Sequence, residues 1–178
     1  MKNYRSLIFR FLCFTFLAFF INSQAQAQPR ISGNLVTRIG NSESRTNVFN
    51  FERLVFQLIN KKRAENNLSP LIWSEQAALA ARLHSKNMSL YNFFSHIGLD
   101  GKRVDSRADL VGLKNWRMIG ENIAYNRGYG NPVERVIESW MNSSAHRENL
   151  LNKNWKETGV GINVTKEGTY YFTQVFVK

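Results

Sequence analysis

Met118-Ile119-Gly120-Glu121-Asn122-Ile123-Ala124-Tyr125 reads as a strand, and its place between helical segments decides the fold class. Side chains alternate across a strand, so Ile119, Glu121 and Ile123 share one face, and Asn122 and Ala124 the other. Beyond it, a loop carries Gly128 and Gly130. Asn131-Pro132-Val133-Glu134 then opens a helix with an N-cap, a proline at the first helical position and an acid in the first turn. Val133, Val136, Ile137, Trp140 and Met141 form one apolar stripe on it. Ser143-Ser144-Ala145-His146 leaves that helix as a polar turn. Two strands, 159–164 and 169–177, close the chain as a hairpin around Thr165-Lys166-Glu167-Gly168.

Upstream of the strand, residues 103–113 suit a short helix, and Leu99-Asp100-Gly101 a turn. Ser74 is a good N-cap, and Ala77, Ala78, Ala80 and Ala81 favour a helix running to about residue 90. Phe51, Leu54, Val55, Leu58 and Ile59 recur at helical spacing and predict a further helix from Phe49 to about Asn66-Asn67, stopped before Pro70. The triplet Lys61-Lys62-Arg63 reads as a solvated helix end. Helices first, then strand, helix, strand, strand is the order of an α+β fold with an antiparallel sheet between helices.

The first residues have another purpose. Lys2, Arg5 and Arg10 precede an apolar run over 11–21, and Ala25-Gln26-Ala27 offers the small residues read at a cleavage site. That is the pattern of a secretory signal peptide over 1–27. The run is short for a transmembrane helix, which needs about 20 apolar residues. Residues 28–47 are polar and without a sustained period, which reads as a linker, and residues 48–178 form the domain. The single cysteine, Cys13, leaves with the signal, so disulfide and thiolate chemistry are excluded from the domain. The net charge is +11. An exported basic protein meets anionic cell-wall polymers, glycans and lipid surfaces, and nucleic acid is not an expected partner. The domain is expected to be secreted or periplasmic, and monomeric.

The chemistry-bearing residues are few. His84 shares a helix face with Ala80, Ala81 and Met88 and reads as a structural or cavity-edge residue. His96 and His146 each follow a helix in a polar setting, off any apolar face. Glu121 is the odd residue of its strand, and a buried carboxylate is costly unless it is paired. An imidazole, a hydroxyl or a metal would serve. Two imidazoles and a carboxylate suit a divalent ion such as zinc, although the spacing matches no local metal motif.

The motifs, taken in order, bear a family likeness. They are Asn60-x-x-Arg63, Leu71-x-Trp73, the alanine-rich helix to Met88, Phe94-Ser95-His96, Gly120-Glu121-Asn122-Ile123-Ala124, Trp140-x-x-Ser143-x-x-His146-Arg147-x-Asn149-Leu150, Gly159-Val160-Gly161 and the final Tyr170 to Phe176. From about residue 48 onward the chain resembles a bacterial CAP domain, also called SCP-like. The resemblance implies a three-layer α-β-α sandwich with a central cleft where two histidines and two glutamates gather and a divalent metal can bind. His96 and His146 look like those histidines, and Glu121 like the first glutamate. Ser143 stands where the second glutamate would be; it can hydrogen-bond but adds no charge.

The leading expectation is therefore a binding module, ahead of an enzyme. Its cleft of Glu121, Asn122 and Ser143, with His96 and His146 as metal ligands, would capture a small or lipidic ligand, aided by a divalent ion such as zinc. Phe93, Phe94, Trp116 and Tyr125 either line an apolar groove there or fill the core. The alternative is a metal-dependent hydrolase acting on extracellular peptide, lipid or cell-wall substrate, with Glu121 as general base. That reading is short of ligands, because a catalytic zinc takes three protein ligands plus water. A third reading makes Glu121, Ser143 and His146 a purely structural lock.

Overall fold

The computed structural model describes residues 34–178 in backbone and 47–178 in side-chain environment. The expected signal peptide, 1–27, lies outside the described residues. The elements are α1 (Asn34–Glu65), β1 (Ile72–Trp73), α2 (Glu75–Leu90), α3 (Val104–Leu110), β2 (Ile119–Arg127), α4 (Pro132–Asn142), α5 (Ser144–Leu150), β3 (Glu157–Val164) and β4 (Thr169–Val177). The strands form one sheet in the order β1-β3-β4-β2. β3 and β2 each pair antiparallel with β4, and the two-residue β1 pairs parallel with β3.

Most boundaries follow from local chemistry. Ser74 Oγ accepts from Ala77 N, and Asn131 Oδ1 accepts from Glu134 N, so α2 and α4 start at the expected caps. Asn67 takes a positive φ just past α1, ending it where expected. Three expectations need correction. Helix α1 begins at Asn34, ahead of the start expected at Phe49. A helix nucleated by its apolar face adds one hydrogen bond for each residue it extends, and no proline interrupts 34–47, so a polar tract without a stripe can follow. Ser143-Ser144-Ala145-His146 is not a turn: Ser143 ends α4 in an extended conformation, and α5 restarts at once. Arg63 is not a solvated helix end but is 1% exposed.

Alternation along the strands makes the layers. Phe172 and Phe176 of β4, Val160 and Ile162 of β3 and Ala124 of β2 pack with Val55 and Ile59 of α1, the α4 stripe and Leu150 of α5. Val175 and Val177 pack on the opposite face with the alanines of α2 and Ala108 of α3. The result is an α-β-α sandwich, as expected. Each valine, leucine, isoleucine or phenylalanine taken from water contributes about 1.5–3 kcal/mol.

Close approach sets the spacing of α2. A Cβ at Gly159 or Gly161 would lie 2.0 or 2.1 Å from the backbone nitrogens of Ala78 and Arg82. Glycine on β3 and alanine on α2 are one requirement seen from two sides. Polar locks complete the frame. Asn60 bridges the N–H and C=O of Leu71. Arg63 Nη1 donates to the carbonyls of Leu150 and Asn152, which fixes the end of α1 against the end of α5. Glu52 of α1, 1% exposed, receives Arg82 of α2 and the backbone N–H of Ile162 in β3.

Candidate functional site

The site grows from the free edge of β2. Met118 exchanges both backbone hydrogen bonds with Lys178, so even-numbered residues of this strand face β4. The odd-numbered residues turn their backbone groups outward. Trp140 Nε1 donates to Ile123 O at 3.2 Å, and Asn149 Nδ2 to Glu121 O at 3.4 Å. The edge is thus covered by side chains instead of a neighbouring strand, which removes a template for aggregation. Helices α2 and α3 stand on one side of this edge, α4 and α5 on the other.

Glu121 projects toward the α2–α3 layer, its side chain 4% exposed. Arg107 Nη2 donates to Oε2 at 2.7 Å, and His96 Nδ1 lies 2.8 Å from Oε1. His84 Nε2 is 3.9 Å from the same Oε1. Arg107 is itself held by the carbonyls of Lys102 and His96, at 2.9 and 3.2 Å. His96 is 48% exposed at its side chain and forms the mouth. A hollow of about 260 Å³ opens here, lined by His96, Arg103, Val104 and Glu121.

His146 approaches from α5, in the other layer. Burial pushes its imidazole below the usual histidine pKa, and His96 is near enough to push it further down. Asn122, placed by sequence in the cleft, is wholly buried on the α5 side. Its Nδ2 donates to His146 O and its Oδ1 accepts from Asn149 Nδ2, both at 3.0 Å, so it positions α5 against β2. Ser143 is half-buried at the α4–α5 junction, where its side chain makes no capping bond.

Two residues extend the sequence reading. Arg107 is the charge partner of Glu121, and nothing in the local pattern of its short helix pointed there. His84 was placed on the correct face but lies deeper in the site than expected, fully buried, with Nε2 2.8 Å from Ser95 O. Burial lowers its pKa first, with Arg107 acting the same way and Glu121 opposing. Of the aromatics, Phe94 and Tyr125 meet edge to face at 4.9 Å and are exposed near the cleft. Phe93 and Trp116 pack against core clusters.

The donor set does not fit a zinc centre of the three-ligand kind. Both Glu121 oxygens are engaged, and a guanidinium stands where a second cation would have to be tolerated. Among the described residues, no group of three or more His, Cys, Asp or Glu side chains is arranged around a metal position.

An α-β-α sandwich with a buried carboxylate at the sheet edge, held by Arg107 and His96, is the architecture of an SCP-like domain. The chain belongs to the cysteine-rich secretory protein (CAP) family, whose model matches residues 56–176. It is 35% identical over 129 residues to the Bacillus subtilis uncharacterized membrane protein YlbC, covering 71% of this chain and 34% of that one. It is 34% identical over 130 residues to the B. subtilis protein YkwD, covering 71% and 47%. A solved extracellular protein containing an SCP domain, from Bacillus anthracis, superposes with a TM-score of 0.64 at 31% identity, over 72% of this chain and 40% of that one. The chain thus spans less than half the length of these relatives. Among the described residues, no helix is long and apolar enough to cross a membrane.

Proposed function

We propose that this is an exported ligand-binding domain, acting outside the cytoplasm, whose cleft between His96, Glu121, Ser143 and His146 captures a small or lipidic ligand. The observation that carries this reading is a concentration of unmet polar atoms. Five buried side-chain atoms lack a partner among the described residues, and three of them, His84 Nδ1, Arg107 Nε and His146 Nδ1, belong to this site. Native interiors leave few such atoms, and those in a site are met by ordered water or by a ligand that supplies the bonds. Asn122 and Asn149 hold the walls in place from behind.

The pairing of Glu121 with Arg107 and His96 favours binding over hydrolysis, because a carboxylate so engaged is not a free general base. The test is capture on lipid and glycan arrays at low and high salt, with wild type and His96→Ala/His146→Ala. Retention at high salt that the double variant loses supports the cleft. Binding that disappears with salt in both proteins rejects it in favour of surface charge. Zinc titration by calorimetry separates the metal-assisted form: stoichiometric uptake lost in the double variant would restore zinc as a partner of the two imidazoles.

A further inference from the structure

The opposite end of β2 holds a second hollow, of about 350 Å³, between the last residues of the strand and the outer face of α4. Tyr125 and Tyr129 stand at its rim, 58% and 50% exposed. Arg127 and Arg135 lie beside them, and Ser139 adds a hydroxyl. Asn126 lines the hollow and is 8% exposed. Its Nδ2 donates to Pro132 O at 2.9 Å, which fixes the amide and leaves Oδ1 buried without a partner.

These features select a ligand chemistry. The ring of Tyr125 packs on Phe94 at 4.9 Å and on Tyr171 at 5.9 Å on the α2 side of the sheet, so the aromatic face left for a ligand against α4 is that of Tyr129. Tyr129 lies under the Arg135 guanidinium at 4.9 Å. Flat aromatic faces ringed by hydrogen-bonding groups suit a sugar, which has an apolar ring face and a hydroxyl perimeter. The two arginines add a demand for negative charge. Acids do stand nearby: Glu138 is 3.5 Å from Arg135, and Glu167 neighbours Arg127. The Arg135–Glu138 pair is exposed, and exposed pairs hold their partners weakly. Asn126 Oδ1 asks for a hydroxyl or amide N–H. A peptide strand added to the β2 edge is a poorer fit, because Trp140 already takes the carbonyl of Ile123 and the remaining free edge spans only Tyr125 and Arg127.

We propose that this hollow is a subsite for one acidic sugar unit of an anionic glycan. The ring stacks on Tyr129, and its anionic group lies between Arg127 and Arg135. This inference does not depend on the imidazole cleft being used, and His96→Ala/His146→Ala is expected to leave it intact.

The probes are hexagalacturonate, the neutral cellohexaose and an unstructured acidic peptide, each titrated into the full chain at about 0.15 M salt, where longer-range attraction is screened. Hexagalacturonate is expected to shift the backbone amide resonances of residues 125–127 and to bind at least about tenfold tighter than cellohexaose. Tyr129→Ala and Arg135→Gln, both exposed, should each weaken it about fivefold or more, at unchanged thermal midpoint. Lys114→Gln, an equal loss of charge at the other end of β2, should change it less than about twofold. Equal losses in Arg135→Gln and Lys114→Gln would reduce the effect to net charge and overturn the site. Cellohexaose binding as tightly, the peptide alone shifting residues 125–127, or no binding by either sugar would overturn it as well.

Discussion

Two buried carboxylates in this chain have nearly the same first neighbours and opposite surroundings. Glu52 and Glu121 each sit in a helix–sheet interface, and each receives an arginine from a neighbouring helix at 2.7 Å. Glu52 spends its remaining capacity on a backbone N–H of β3, so three elements close around it. Burial pushes its carboxyl above the usual pKa, against the pull of Arg82. Glu121 gives its second oxygen to His96, a side chain almost half exposed, and stands among atoms whose bonding is incomplete. An arginine–carboxylate pair is thus no signature of function. The discriminating feature is whether the last bond leads inward to backbone or outward to a solvent-facing group.

The largest expected effect breaks the closed hub. Glu52→Gln turns an amide NH2 toward the donors of Arg82 or Ile162 while Arg82 keeps Glu75, and should cost about 2–3 kcal/mol of unfolding free energy, measured by urea denaturation. The imidazole resonances of His96 and His146 should not move. Glu121→Gln should cost less, about 1–3 kcal/mol. The amide keeps an oxygen for Arg107, and the site is open to water through His96. This variant should perturb the imidazole resonances, unlike the first. Equal stability losses with identical spectra would erase the distinction between the two hubs.

The difference between them was only half legible in the sequence. Glu121 stood out because a carboxylate in an apolar strand must be paired, and the two-residue period placed it on the correct face. Glu52 had no such signal: on a helix already rich in charged residues, one more acid looks like surface. Arg107 was missed for the same reason, since its contact with Glu121 spans 14 residues of sequence and a seven-residue helix has little periodicity to read. The helix α5 was hidden because only Leu150 of its residues is buried, so no stripe marks it. Helices α2 and α4, with caps and apolar faces agreeing, were readable nearly to the residue.

Acidity acts on the open hub with a definite sign. His84 and His146 have pKa values depressed by burial, so below the ordinary value of 6.5 the unfolded chain binds more protons than the folded one. Their contribution to stability is complete above pH 6.5 and is lost as the pH falls through the folded-state values. Thermal midpoints measured from pH 7.5 down to 5 should therefore decline, and His84→Gln should flatten that decline. A profile unchanged by that substitution would show that the buried imidazole is not what protons attack.

The smallest stability effect should come from the residue nearest the proposed chemistry. His96→Ala removes one bond from Glu121 but leaves Arg107 in place, and the imidazole lost was half in water. Its cost should stay below about 1 kcal/mol by the same denaturation measurement. Ligand capture by the cleft should nonetheless fall, because His96 is the group that carries the buried charge network to the surface. A large loss of stability with capture intact would invert the roles assigned to the two hubs and make the Glu121 cluster a second structural lock, built like the one around Glu52.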